Sequence, residues 1–290
     1  MSRPYISVVM AVFNAESSLR FAIESILNQT FNDFEFIIID DGSSDDSKSI
    51  VLSYRDARIN LIENSRNMGL VYSLNVGVNK SVGKYIARMD ADDISYPERF
   101  QKQVDFLDAN SNVDLVSCKA LVFFEDGNIL GTLPFKNAHE KICEKPWRGF
   151  HMPHPTWMGR SEWFQCFKYP QVVRAEDQAL LLNAYPKSCF AGLDNVLVGY
   201  RQQPFSLAKT FLARKNLFTY QSYIFIKRHE WNFFAMALFM FALKLMVDLI
   251  ASVPYFEKVF FNRMSNSIHY DDVKQFESLM LTFKNSNHHA

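Results

Sequence analysis

The chain reads as an α/β protein: a mostly parallel, Rossmann-like sheet with flanking helices, followed by a helical C-terminal region. Three observations carry that reading. Short β-type runs alternate with helical patterns through the first third, as they do where helices cover a parallel sheet. The first run is apolar without interruption, the mark of a strand buried on both faces. After Pro204 the alternation stops and long aromatic and apolar helical stretches take over. With 290 residues, and roughly 150 per domain, there is room for one large domain or two small ones.

Taken in order, Tyr5 to Val12 is the first apolar run, and Leu19, Ala22, Ile23, Ile26 and Leu27 recur behind it at helical spacing. Phe34 to Ile39 predicts strand two, Ser44 to Tyr54 a polar surface helix, Ile59 to Ile62 strand three, Leu70 to Asn79 a helix, and Tyr85 to Met89 strand four. Ser95-Tyr96-Pro97-Glu98 combines a capping box with proline in the first turn, which predicts a helix from Pro97 to Ala109. Val113 to Cys118 and Leu121 to Phe124 read as strands, with Asp126-Gly127 as a hairpin turn. Lys136 to Pro170 is rich in aromatics, prolines and histidines without a clear period, which suggests a site-building segment. Helix resumes from Glu176 to Ala184, and strands are expected near Cys189 to Leu193 and Val196 to Tyr200.

Ala208 to Lys227 is helical and aromatic, and Trp231 to Phe256 is strongly apolar, broken only by Lys244 and Asp248. Its uncharged centre, Phe233 to Leu243, is shorter than the about 20 residues a bilayer span needs. Lys227 and Arg228 precede it and Lys258 and Arg263 follow, which suits a segment lying in the interface beside anionic lipid. A buried helix of a helical subdomain and a true span are the alternatives.

Composition excludes several classes. Hydrophobic residues make up 48% and charged residues 21%, so the chain is not a disordered one. Lysine plus arginine equals aspartate plus glutamate at 31 each, so no global field draws the protein to nucleic acid. Four cysteines with no C-x-x-C pair argue against a zinc site or a disulfide framework and fit a reducing cytoplasm. The first residues lack the ordered regions of a signal peptide, so export is not expected and the Asn28-Gln29-Thr30 sequon reads as chance.

Acidic residues gather where a parallel sheet binds its ligands, beyond the carboxyl ends of the strands. Strand two runs into Asp40-Asp41-Gly42 and strand four into Asp90-Ala91-Asp92-Asp93. Carboxylates this close repel unless compensated, and Mg²⁺ or Mn²⁺ is the simplest compensation, with positions left open for substrate phosphates. The bland alternative is a set of solvated or capping aspartates, weakened because Ser95 already supplies the cap and three aspartates in four residues exceed what a turn needs. Neither G-x-G-x-x-G nor G-x-x-x-x-G-K-[ST] occurs, which disfavours nicotinamide dehydrogenases and P-loop NTPases, and H-E-x-x-H and G-x-S-x-G are missing too.

The run Ile6 to Asn14, the Ile39-Asp40-Asp41-Gly42-Ser43 turn, Asn67-Met68-Gly69-Leu70 and Met89-Asp90-Ala91-Asp92-Asp93 together resemble a family 2 glycosyltransferase of the GT-A fold, over about residues 5 to 203. His154-Pro155-Thr156 and Ala175-Glu176-Asp177 resemble bacterial enzymes of O-antigen, capsule or exopolysaccharide synthesis, of the amylovoran type. The resemblance implies that Val12, Asn14 and Asp41 line a base and ribose pocket, with Asp41 accepting from uracil, and that Arg66 and Asn67 close it. Asp90 would contact the ribose side, Asp92 the metal, and Asp93 would assist. Asp177, beside Glu176 at a helix start, would be the base of an inverting transfer; as plain residues the pair would only complement the helix dipole. His154 would border the acceptor and Arg201 help to hold the diphosphate; a structural histidine and an exposed ion pair are the alternatives. Trp157 is either a sugar platform or a core aromatic. Gln202-Gln203-Pro204 stands where processive synthases carry Q-x-x-R-W, so one sugar per encounter is expected.

The resulting expectation has three parts. Residues 1–110 form a nucleotide-sugar half, 111–205 an acceptor half with the base, and 206–290 a membrane-associated helical region. The whole would transfer a hexose from a UDP-sugar to a polyprenyl-diphosphate-linked saccharide at the cytoplasmic face of the bacterial inner membrane, using Mn²⁺ or Mg²⁺. A sugar-nucleotide pyrophosphorylase and an inactive membrane-bound scaffold are the rival readings, and a homodimer is another use for the aromatic C-terminal face.

Overall fold

Strands β1 (Ile6–Val12), β2 (Phe34–Asp40), β3 (Ile59–Glu63) and β4 (Tyr85–Asp90) form a parallel block in the order β3-β2-β1-β4. The computed structural model describes residues 3–253, 256, 261 and 268–286. The two-residue period of a strand divides the core. Ile6, Val8, Met10 and Val12 pack with helices α1 (Leu19–Leu27), α2 (Ser47–Ser53) and α4 (Arg99–Ala109). Val9, Ile37 and Ile39 pack on the other face with α3 (Leu70–Lys80). Each such side chain contributes about 1.5–3 kcal/mol by leaving water. α3 sits low because Gly77 has no Cβ: one placed there would meet Val9 Cγ1 at 2.4 Å and Ile39 Cδ1 at 2.9 Å.

The sheet continues as β4-β8-β6-β9-β5, with β7 (Ile129–Thr132) on β6. β6 (Leu115–Phe123) and β9 (Phe190–Arg201) are parallel to each other. β8 (Met158–Arg160) is antiparallel to both β4 and β6, and β5 (Ile94–Ser95) is antiparallel to β9. The smaller helices are α5 (His139–Cys143), α6 (Ser161–Cys166) and α7 (Glu176–Ala184), with a 3₁₀ turn at His154–Thr156.

Three local expectations need correction. Ser95 does not cap α4: it lies in β5, its N–H donates to Ser25 Oγ at 3.0 Å, and its Oγ accepts from Gln29 Nε2 at 3.1 Å. α4 begins at Arg99, and Gln29 Oε1 accepts from Phe100 N at 3.1 Å, so the end of α1 provides the missing acceptor. The runs read as paired strands around residues 119–120 and 194–195 are single long strands, because register shifts at Cys118–Ala120 absorb the break in pattern. The segment 136–170 holds α5, the 3₁₀ turn, β8 and α6.

α8 (Leu207–Lys227) and α9 (Trp231–Ala251) form a helical pair laid against this body. Asp248, almost wholly buried, is ion-paired with Arg214 of α8, whose Nη2 donates to Oδ1 at 2.7 Å. Lys244 Nζ donates to the Arg148 carbonyl at 2.9 Å, and the Phe233 ring lies 4.9 Å from Trp147. α9 has 21 residues, with a mean hydropathy of 2.2 in an 18-residue window, long and apolar enough to cross a membrane, yet only 11% of that window is buried. A buried helix is therefore not what forms. The flanking Lys258 and Arg263 lie outside the described residues. α10 (Tyr270–Ser286) returns to the β5–β9 edge, where Phe276 meets Phe123 at 4.7 Å and Tyr96 Oη donates to the Asp272 carbonyl at 3.3 Å.

Candidate active site

Register brings the carboxyl ends of three strands to one edge, with Asp40 beside Val12 and Asp90 beside Ala11. At the β1 and β2 end, Asn14 takes a left-handed backbone (φ 50°), and its Oδ1 accepts from Ser44 N at 2.8 Å. Gly42 (φ 73°) lets the next loop through: a Cβ there would lie 2.6 Å from the Arg66 carbonyl carbon. Arg66 and Asn67 are exposed. Asp41 is buried and accepts from Asn64 Nδ2 at 2.7 Å, Met68 N at 3.0 Å, Ser73 Oγ at 3.0 Å and Gly69 N at 2.8 Å. It thus fastens the 64–69 loop to the start of α3, and only Oδ2 keeps capacity for a further donor. Val12 is buried in the core and its carbonyl accepts from Asp41 N at 2.8 Å, so only its main chain borders this crevice.

Asp90, Asp92 and Asp93 bring ligand oxygens within 4.8 Å of one another. Burial, then the charge of Asp90, pushes the Asp92 carboxyl up to about 6, against Gln203, Arg88 and Arg201. Burial and the charges of Asp92 and Asp90 raise Asp93 well above the usual range. Asp93 Oδ1 accepts from Arg201 N at 2.8 Å, while its buried Oδ2 has no partner. Arg201 Nε donates to the Asp92 carbonyl at 3.0 Å, and Gln203 Nε2 donates to Asp92 Oδ2 at 3.2 Å. Three hard oxygen donors, one of them orphaned, fit a Mg²⁺ or Mn²⁺ ion.

The second acidic pair, Glu176 and Asp177, opens α7. Burial and the Asp177 charge push Glu176 up to about 7. Burial likewise raises Asp177, whose Oδ2 accepts from Gln178 Nε2 at 3.1 Å. Gln178 is itself held, its Oε1 accepting from Phe150 N at 2.7 Å.

Between the two clusters lies Arg88, 3% exposed and ion-paired with Asp90. Burial alone would lower its pKa, but Asp90, Tyr169 and Asp93 hold it above its usual value. Its charge in turn lowers Asp92, Asp93, Glu176 and Asp177. The sequence reading passed it over. Its signal was a lone cation on an otherwise apolar buried strand, two residues before Asp90 and so on the same face. His154 is buried; its Nε2 shares a 2.8 Å hydrogen bond with Tyr169 Oη, and burial and Arg88 hold the ring neutral. Trp157 is fully buried, with its ring 4.6 Å from that of His154, and so is the core aromatic of the two alternatives.

Two cavities flank this centre. One of about 400 Å³ is lined by Asp92, Ser18, Arg201 and Gln203. The other, about 610 Å³, is lined by Glu176, Asp177 and residues of α8 and α9. Gln202, Gln203 and Pro204 line both, forming the wall between them.

A mixed GT-A sheet with carboxylates on its crevice edge defines a nucleotide-sugar transferase class, and the comparisons agree. Residues 7–167 match Glycosyl transferase family 2, and the chain belongs to that family. An uncharacterized glycosyltransferase of Methanocaldococcus jannaschii is 34% identical over 239 residues, 80% of this chain and 81% of that protein. One of Haemophilus influenzae is 33% identical over 214 residues, 68% of this chain and 65% of that protein. Staphylococcus aureus TarS (residues 1–349), in a complex with UDP-GlcNAc, superposes with a TM-score of 0.66 at 17% identity, over 97% of this chain and 92% of that one. The mannosyltransferase PcManGT of Pyrobaculum calidifontis, with GDP-Man and Mn²⁺, superposes at 0.60 and 15% identity, over 98% and 86%. These two likenesses establish the GT-A fold.

Proposed function

We propose that the chain is an inverting, non-processive transferase moving a hexose from a UDP-sugar to a lipid-linked saccharide, in surface polysaccharide synthesis at the cytoplasmic face of a bacterial inner membrane. The observation that carries this is the pair of cavities sharing the 202–204 wall, one bearing Asp92 and the other Asp177. Leaving group and incoming hydroxyl need opposite chemistry on adjacent sides of one sugar, and the two cavities supply it.

Asn14, Asp41, Arg66 and Asn67 would border the nucleoside, with the free capacity of Asp41 Oδ2 suited to the imide N–H of uracil. Asp92, with Asp90 and Asp93, would hold Mn²⁺ or Mg²⁺, which when bound supplies charge compensation to the departing diphosphate. Arg201 is tied to the backbone and carboxylate of the same loop and adds a fixed positive charge beside it. Asp177 takes the proton of the acceptor hydroxyl. Gln178 orients that carboxylate and, with Arg88, opposes the rise in its pKa that burial imposes.

Support for a membrane-surface enzyme comes from α9: one side is fastened to the body through Lys244 and Phe233 and to α8 through Asp248, while Leu238, Phe239 and Leu249 are exposed. A helix held so along its length suits lying in the interface.

The test is Asp177→Asn in detergent-purified protein, assayed against a panel of UDP-sugars and by UDP binding with Mn²⁺. UDP affinity is expected to stay within about twofold while turnover falls at least about 100-fold, the usual worth of a general base. Unchanged turnover would overturn the assignment.

A further inference from the structure

We infer that the 610 Å³ cavity beside Asp177 seats an amphiphilic acceptor, its phosphate group against Arg174 and Lys209 and its apolar chain leaving along α9. This rests on the transferase reading and adds the chemistry of the second substrate. The volume lies within the range of about 300–1,000 Å³ that ligand pockets occupy.

The lining is zoned by chemistry. Glu176 and Asp177 stand at one part, Leu217, Phe218, Met240 and Phe241 supply an apolar wall, and four cations complete it. Two of the cations are committed elsewhere: Arg214 to Asp248, and Lys244 to the Arg148 carbonyl. Arg174 and Lys209 are exposed and make no side-chain hydrogen bond or ion pair among the described residues. Their charge is available to an anion.

Arg174 is also held at φ 63°, a left-handed conformation uncommon for a side chain of its size, directly before the first turn of α7. Such strain gathers at ligand clamps. The apolar wall leads outward, since Met236, Met240 and Leu243 fall at helical spacing on one stripe of α9, and Met236 and Leu243 are exposed. A hydroxyl at Asp177, a phosphate at the cations and a chain along that stripe would satisfy the three zones together. The donor diphosphate is the other phosphate source, but the 202–204 wall separates this cavity from the one lined by Asp92.

The experiment uses the full chain in detergent, with farnesyl diphosphate, farnesol, and UDP plus Mn²⁺ as separate probes. The wild type is expected to bind farnesyl diphosphate at least tenfold more tightly than farnesol. Arg174→Gln combined with Lys209→Gln should weaken farnesyl diphosphate at least tenfold and leave farnesol and UDP unchanged. Arg174→Lys with Lys209→Arg should retain most of the affinity, which separates charge from folding. Equal binding of farnesyl diphosphate and farnesol, or a loss confined to UDP, would overturn the assignment. Wild type that binds UDP with Mn²⁺ but not farnesyl diphosphate overturns the seat alone. Wild type that binds farnesyl diphosphate but no nucleotide supports the seat and overturns the transferase reading.

Discussion

Arg88→Met tests the electrostatic centre. The guanidinium is 3% exposed, is paired with Asp90, and lowers the pKa of Asp92, Asp93, Glu176 and Asp177. Removing one partner of a buried ion pair costs about 3–5 kcal/mol. Here the cost is expected near the low end, about 3 kcal/mol, because Arg88 Nε and Nη1 have no hydrogen-bond partner and their burial is relieved by the same change. At about 2–4 °C per kcal/mol for a chain of this order of size, the melting temperature should fall by on the order of 10 °C. The loss must depend on pH. Asp92 and Glu176 stand at about 6 and about 7 with Arg88 in place, so at pH 7.5 both are ionised and need the cation, and at pH 5.5 both are largely protonated and need it less. Calorimetric melting in detergent at the two pH values is the assay, and Mn²⁺ should restore part of the loss at pH 7.5. A fall below about 3 °C at pH 7.5, or equal falls at both pH values, refutes the reasoning.

Wild-type stability has its own sign. The folded-state pKa of Asp92 is raised from 3.8 to about 6, so the native state binds more protons in that interval and stability declines as pH rises through it. Mn²⁺ should offset the decline, raising the melting temperature at pH 7.5 and scarcely at pH 5; an equal rise at both would count against the carboxylate site. Asp41→Ala strips the acceptors from Asn64, Met68, Gly69 and Ser73 and should cost about 2–3 kcal/mol in chemical denaturation, with faster amide exchange at Met68 and Gly69. An unchanged midpoint would contradict the fastening role. Arg214→Leu or Asp248→Leu alone should cost about 3 kcal/mol or more, while the double replacement should recover most of it; additive losses would show that the pair is not coupled.

Much of this was legible in the chain. β1, β2 and β4 are buried on both faces, so each is a largely apolar run, and the aspartates that end β2 and β4 fall on the ligand-binding edge because parallel topology fixes that edge. β8 was hidden because three residues carry no period, and its antiparallel place between β4 and β6 depends on partners distant in sequence. Ser95 misled because a capping box and a strand crossing use the same hydroxyl, and only the nearness of Gln29 decides between them. Burial separates the candidate residues further: Asn14, Arg66 and Asn67 lie at the crevice, whereas His154 and the side chain of Val12 lie beneath it. Arg88 became meaningful only when folding set the two acidic clusters around it.

The wall at residues 202–204 also bears on how such enzymes are recombined. It is the direct continuation of β9 and runs without interruption into α8, so a single stretch of backbone faces both cavities and then becomes the helical pair. A chimera that grafts foreign helices at Ser206 inherits the host's wall and keeps the cavity lined by Asp92 intact. One joined before Gln202 imports the other parent's wall and alters both cavities at once. The productive junction is therefore about five residues wide, and the part of the 610 Å³ cavity that α8 and α9 line is exchanged downstream of it.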